Sequence, residues 1–284
     1  MNMQKTVHEA IEFEGIGLHT GVNTRIRVNP AAADKGIVFT RADNGRQEIP
    51  LSPERVVSTQ NNSALGVNGN KILTVEHLLS SLYGLGIDNA FIEVYGPEIP
   101  ILDGSAKPFV REILNAGLED QDQPKKYIQV MRPVRVEDGD RYAQLDPGPE
   151  FRVEFVISYD HPLLSYQRRE FRFADQDFAR EISPARTFGF YNEVEQLRKM
   201  GLAKGGGLEN VVVIGEDGVM NPEGMRFKDE PVRHKILDCL GDLMIVGTRI
   251  VGEYRGYKSG HKLNHDLLVA LMSDKENYQI VEAV

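Results

Sequence analysis

Apolar and polar residues alternate along Thr24-Arg-Ile-Arg-Val28, Ala90-Phe-Ile-Glu-Val94 and Arg152-Val-Glu-Phe-Val-Ile157. This period of two turns one strand face to a core and the other to water. Further strands are expected near residues 127–136 and 210–214. Apolar residues fall instead at helical spacing over residues 75–85, 108–115, 192–200, 232–246 and 265–272, which predicts five helices. The two kinds of element mix without a regular βαβ rhythm, so the pattern points to α+β layers rather than a doubly wound parallel sheet.

The polar, proline-containing stretch Gly117-Leu-Glu-Asp-Gln-Asp-Gln-Pro-Lys-Lys126 reads as a linker. It sets expected domains at 1–122 and 123–284, a division that suits a chain of 284 residues. An offset of 157 residues aligns Val75 with Val232, His77 with His234, Leu79 with Ile236 and Gly84 with Gly241. Such a repeat predicts equivalent helices from two similar domains, each offering a histidine to a shared cleft.

Composition changes the picture by exclusion. No apolar run approaches the roughly 20 residues of a membrane span. The amino terminus, Met1-Asn-Met-Gln-Lys-Thr-Val-His-Glu9, has no apolar secretory core, so the expectation is a cytoplasmic protein without an integral membrane segment. A formal charge of −9 argues against a nucleic-acid binder. Cys239 is the single cysteine, which rules out an internal disulfide or a cysteine-rich zinc site. Any metal must be held by histidine and carboxylate, and Cys239 reads as a small core residue.

Those donors exist. At about 100° per residue a four-residue step turns a helix by about 40°, so His234 and Asp238 leave one face as a two-ligand claw for zinc. The alternative is a surface pair that supports its helix. Zinc hydrolases use three protein ligands and keep the fourth position for water, and His77 in Thr74-Val-Glu-His-Leu-Leu79 is the candidate third. Glu76 beside it fits a general base, best placed in a loop or at a helix start where both side chains reach one cleft, or else a first-turn glutamate facing the helix dipole. His261, after Gly260 and before a helix, is the candidate acid for a leaving amine. Asp242 could hold His261 protonated, although its spacing alone favours a solvated helix carboxylate. Thr187, in a loop, could donate to an oxyanion. Lys235 could meet a phosphate, its default being an exposed helix lysine.

Familiar nucleotide motifs fail. Gly15-Ile-Gly-Leu-His-Thr-Gly21 misplaces the third glycine of a dinucleotide loop, and Lys204-Gly-Gly-Gly207 has its lysine before the glycines. His8-Glu-Ala-Ile-Glu12 lacks the second histidine of a His-Glu-x-x-His protease.

Taken together, Thr74-Val-Glu-His-Leu, Ile101-Leu-Asp-Gly-Ser105, Pro184-Ala-Arg-Thr-Phe-Gly189, Arg226-Phe-Lys-Asp-Glu230, Val232-Arg-His-Lys-Ile-Leu-Asp238 and Gly260-His-Lys-Leu-Asn264 resemble the zinc-dependent UDP-3-O-acyl-N-acetylglucosamine deacetylases. The resemblance implies removal of acetate from the glucosamine nitrogen of an acylated UDP-sugar, the committed step of lipid A synthesis. It implies Zn2+ on His77, His234 and Asp238, with Fe2+ as a competitor for such donors. It further implies Glu76 as base, His261 as acid or electrostatic partner oriented by Asp242, Thr187 at the oxyanion, Lys235 near the substrate and Phe188 against its sugar or acyl part. The implied fold is two similar α+β domains with the active site between them. An insertion near residues 190–213 would form an acyl passage from Tyr191, Val194, Leu197, Met200 and Leu202. A monomer is expected. Two other readings stand beside it: a zinc amidohydrolase for another acylated sugar, and a noncatalytic sugar-nucleotide or lipid binder with a structural zinc.

Overall fold

A computed structural model describes residues 3–173 and 176–282. The helices are α1 (Glu76–Leu85), α2 (Lys107–Ala116), α3 (Phe178–Glu181), α4 (Tyr191–Lys199), α5 (Glu230–Met244) and α6 (His261–Ser273). The architecture is α+β, as the pattern predicts, and each expected strand and helix has its counterpart.

In the amino-terminal half, five strands lie side by side in the order Ile11–Ile16, Asn23–Pro30, Ala90–Tyr95, Ile37–Arg41, Glu48–Pro50. Along Asn23–Pro30 the alternation is realised: Thr24, Ile26 and Val28 are buried while Arg25 and Arg27 face solvent. In the second half, Arg249–Tyr257 is the central strand, antiparallel to Arg141–Asp146 and parallel to both Lys126–Val130 and Phe151–Ile157.

Between these sheets α1 and α5 pack on each other, joining Leu78, Leu79 and Leu82 to Ile236, Leu237 and Leu240 in one apolar cluster. Each such side chain contributes about 2 kcal/mol on leaving water. α1 stops where Gly86 adopts φ +74° and its amide reaches back to the carbonyls of Leu82 and Tyr83. Every α5 residue except Lys235 is buried. A helix buried all round is normally apolar, yet this one carries Glu230, Arg233, His234, Asp238 and Asp242. Buried charge without partners is too costly to persist, so each needs a partner, and those partners assemble the site. The glycines matched by the 157-residue offset are both close-packing positions: a Cβ on Gly84 would lie 2.1 Å from the Phe178 ring, and one on Gly241 would lie 2.0 Å from the Glu76 carbonyl oxygen.

Two details depart from the pattern. The stretch read as a linker is largely a strand, Leu118–Pro124, antiparallel to Met3–Val7. Its side chains are polar because it belongs to a two-stranded ribbon, across which Lys5 meets Asp120 at 3.2 Å and Gln4 Nε2 donates to the Pro124 carbonyl at 3.0 Å. α6 begins at His261 rather than near residue 265, because extended Gly260 (φ −164°) delivers the chain directly into the helix.

Candidate metal centre

α1 and α5 bring their histidines together. His77 is the second residue of α1 and His234 lies one turn into α5, with ring centroids 5.0 Å apart and planes at 87°. Asp238 Oδ1 stands 3.6 Å from His77 Nε2 and 3.2 Å from His234 Nε2. The three donor atoms lie within 4.8 Å of one another, and all three residues are buried. Tetrahedral coordination with bonds of about 2.1 Å separates ligand atoms by about 3.4 Å, so the donors fit one divalent ion. The tautomer fits too. His234 Nδ1 donates to the Ala185 carbonyl at 3.0 Å, which leaves the Nε2 lone pair facing the group. Burial lowers the pKa of His77 and so favours the neutral, ligating ring; Asp238 opposes that shift. Burial also works against the Asp238 carboxylate, but His234 and Lys235 outweigh it and hold Asp238 ionised, well below the usual carboxylate range.

Glu76 opens α1, one residue before His77, the helix-start placement that lets both side chains reach the cleft. Its Oε2 accepts the Ser63 amide at 3.0 Å. Burial, with the charges of Asp238 and Asp242 adding to it and His261 opposing, pushes the carboxyl up to about 8. A cation held by the adjacent donors acts against that push.

His261 lines the same cleft as the metal donors. Asp242 is 1% exposed, not solvated, and its carboxylate accepts from His261 Nδ1 at 2.9 Å, Asn264 Nδ2 at 2.8 Å and Ser63 Oγ at 2.6 Å. Although burial opposes charge on His261, Asp242 overcomes it and raises the ring to about 9. With Nδ1 committed to Asp242, Nε2 is the ring nitrogen that this pairing leaves uncommitted.

Lys235 is not an exposed helix lysine. Its side chain is 18% exposed and its ammonium sits 2.8 Å from Asp238 Oδ2 and 5.7 Å from the centre of the Phe188 ring. Burial opposes its charge, while Asp238 raises its pKa and keeps it protonated. Thr187 is anchored by the backbone, its amide donating to Gly104 and its carbonyl accepting from Val212. Gly104 has φ +83°, and a Cβ there would lie 1.8 Å from the Asn210 oxygen, so only glycine allows this junction.

All these positions line one cleft of about 810 Å³, except Asp242, which stands behind His261. From the expected acyl passage, Tyr191, Val194 and Leu197 line it. Met200 and Leu202 do not line it, and Met200 is 58% exposed. Arg141, Lys258 and Lys262 line the same cleft.

Several of these partners are not singled out by any sequence pattern. Ser63 lies outside every quoted motif. The Ala185 contribution is a backbone carbonyl, invisible to side-chain patterns. Asn264, Arg186 and Glu230 fall inside quoted motifs without a stated role. Glu230 accepts from the Arg186 amide at 3.0 Å and from Arg186 Nε at 2.9 Å, which fixes the segment holding Ala185 and Thr187.

The sequence model of the UDP-3-O-acyl N-acetylglycosamine deacetylase family matches residues 4–273. Proteins named UDP-3-O-acyl-N-acetylglucosamine deacetylase are similar over nearly their whole length. The one from Myxococcus xanthus (strain DK1622) is 46% identical over 281 residues, covering 99% of this chain and 90% of that protein. The one from Pseudomonas entomophila (strain L48) is 48% identical over 285 residues, covering 99% and 94%. A third, from Acidithiobacillus ferrooxidans (strain ATCC 53993 / BNL-5-31), is 45% identical over 285 residues, with the same coverage.

Proposed function

The chain belongs to the UDP-3-O-acyl N-acetylglycosamine deacetylase family, and from that premise we propose how its cleft divides the work of hydrolysis. The reaction removes the N-acetyl group of UDP-3-O-acyl-N-acetylglucosamine, releasing acetate and UDP-3-O-acyl-glucosamine for lipid A biosynthesis. The observation that carries the division is the convergence of His77, His234 and Asp238 between α1 and α5, with Glu76 beside them and His261 on the same cleft.

His77, His234 and Asp238 hold a zinc ion, with iron(II) as competitor. When bound, zinc supplies Lewis acidity to water and to the amide carbonyl. Glu76 takes the proton of the attacking water. The Thr187 hydroxyl donates to the oxygen that becomes negative. His261, charged through Asp242, gives its Nε2 proton to the leaving nitrogen. Lys235 meets the substrate, Phe188 packs against its sugar or acyl part, and Val194 and Leu197 receive the acyl chain.

The same reading includes a cytoplasmic monomer of two lobes, 1–122 and 123–284, that binds no nucleic acid. The charge of −9 supports the last point. Among the described residues no helix is long and apolar enough to cross a membrane.

Acetate release from UDP-3-O-acyl-N-acetylglucosamine, measured before and after chelation and again with zinc restored, tests the proposal. Turnover should vanish on stripping and return with zinc. Turnover indifferent to chelation would remove the metal from the account.

A further inference from the structure

The two glycine motifs that fail as nucleotide loops fold against each other, and beside them is a carboxylate whose hydrogen-bond donors, among the described residues, are backbone amides and hydroxyls. Glu98 is fully buried. Its Oε1 accepts the His19 amide at 2.9 Å and the Thr74 hydroxyl at 2.7 Å. Its Oε2 accepts the Thr20 amide at 2.8 Å and the Thr20 hydroxyl at 2.7 Å. Gly17 makes room: a Cβ there would lie 2.3 Å from Glu98 Oε2. Gly21, at φ +65°, closes the turn by donating to the Gly17 carbonyl. Lys204 and Gly205 then dock on the loop, their amides donating to His19 and Leu18. The turn over residues 17–21 therefore wraps a side-chain carboxylate.

What Glu98 holds is informative. Thr74 has φ +59°, and a β-branched residue in the left-handed region is a genuine outlier. Such strain persists only where surrounding contacts impose it, and it collects at functional sites. Thr74 is gripped by Glu98 through its hydroxyl and by Asn62 Oδ1 through its amide. The next amide, Val75, donates to the Ser63 carbonyl. Ser63 in turn donates its amide to Glu76 and its hydroxyl to Asp242. One connected path thus runs from Glu98 through Thr74 and Ser63 to the residues assigned as base and as orienter of the acid.

We propose that Glu98 and Thr74 are positioning residues, a clamp that forces the chain into the left-handed turn before α1 and thereby sets Ser63, and through it Glu76 and Asp242, in register for catalysis. The kinetic part rests on the deacetylase assignment of the cleft.

Thr74→Val and Thr74→Ser separate the clamp from simple packing. Valine keeps the shape and removes the hydroxyl, while Glu98 keeps its three other donors. In zinc-loaded protein with one metal per chain, Thr74→Val should lower kcat about tenfold to a hundredfold with KM within about threefold. Thr74→Ser should recover most of that loss. Hydrogen exchange in metal-free protein should speed up across residues 62–76 in the valine variant but not in the serine variant. Parental kcat in Thr74→Val, a serine variant as impaired as valine, or lost kcat with unchanged exchange overturns the clamp. Should Thr74→Val not fold, Thr74→Gly, unstrained but without the hydroxyl, replaces it. Glycine well below serine supports the clamp, and equal activity overturns it. If the parental protein releases no acetate, the functional assignment fails, while exchange still decides the clamp.

Discussion

Glu76 and His261 are both ionisable groups whose surroundings push them away from their ordinary values, and the causes differ. Burial dominates at Glu76, while at His261 the Asp242 charge overcomes burial. Replacing Glu76 by alanine leaves the three metal donors in place, so the variant should bind zinc yet hydrolyse about two or more orders of magnitude more slowly. Parallel measurement of metal content and acetate release checks this, and a variant with normal turnover would exclude Glu76 as base. On the proposed mechanism His261 acts as its cation, so activity should fall as pH rises through about 9, and His261→Gln should abolish that alkaline limb. The same shift bears on stability. Because the folded value lies above the unfolded value of about 6.5, the His261–Asp242 pair stabilises fully below pH ~6.5, and the contribution is lost as pH rises through 9.

At the scale of elements, α1 and α5 carry the centre because glycine allows their backbones to touch: Gly241 sits where a Cβ would strike the Glu76 carbonyl. That contact brings His77 within reach of Asp238. α4 is built differently. None of its residues is buried, yet Val194 and Leu197 face the cleft while Met200, just past its end, is 58% exposed. Leu197→Trp should therefore shift preference toward shorter acyl chains, whereas Met200→Trp should leave the length profile near parental. A series of substrates of increasing acyl length measures both, and an unchanged profile for Leu197→Trp would remove α4 from the passage.

Across the whole molecule, the halves are joined through the site itself. Arg226 reaches from the second half to Asp103 at 2.9 Å and to Ser105 Oγ at 3.3 Å, and the Thr187 amide donates to Gly104. A metal held by α1 and α5 ties these halves together, so it should stabilise the native state by mass action, by about 4 kcal/mol at a thousandfold excess over Kd. The melting temperature of stripped protein should rise by several degrees with added zinc, and rise further with its concentration. A flat response would argue against binding at this centre.

Local periodicity determined the elements and one half of the centre. The alternation along Asn23–Pro30 and the four-residue step from His234 to Asp238 are short-range patterns that a backbone of fixed pitch must obey. The motifs around His77, Thr187 and His261 were also readable one by one. Tertiary structure alone decided that Asp242 and Lys235 are enclosed rather than solvated, that polar Leu118–Pro124 pairs as a strand, and that the turn over residues 17–21 wraps Glu98. It also supplied Ser63 and the Ala185 carbonyl. These features depend on contacts between distant segments and on backbone groups that every residue shares, and neither leaves a mark in the spacing of side chains along the chain.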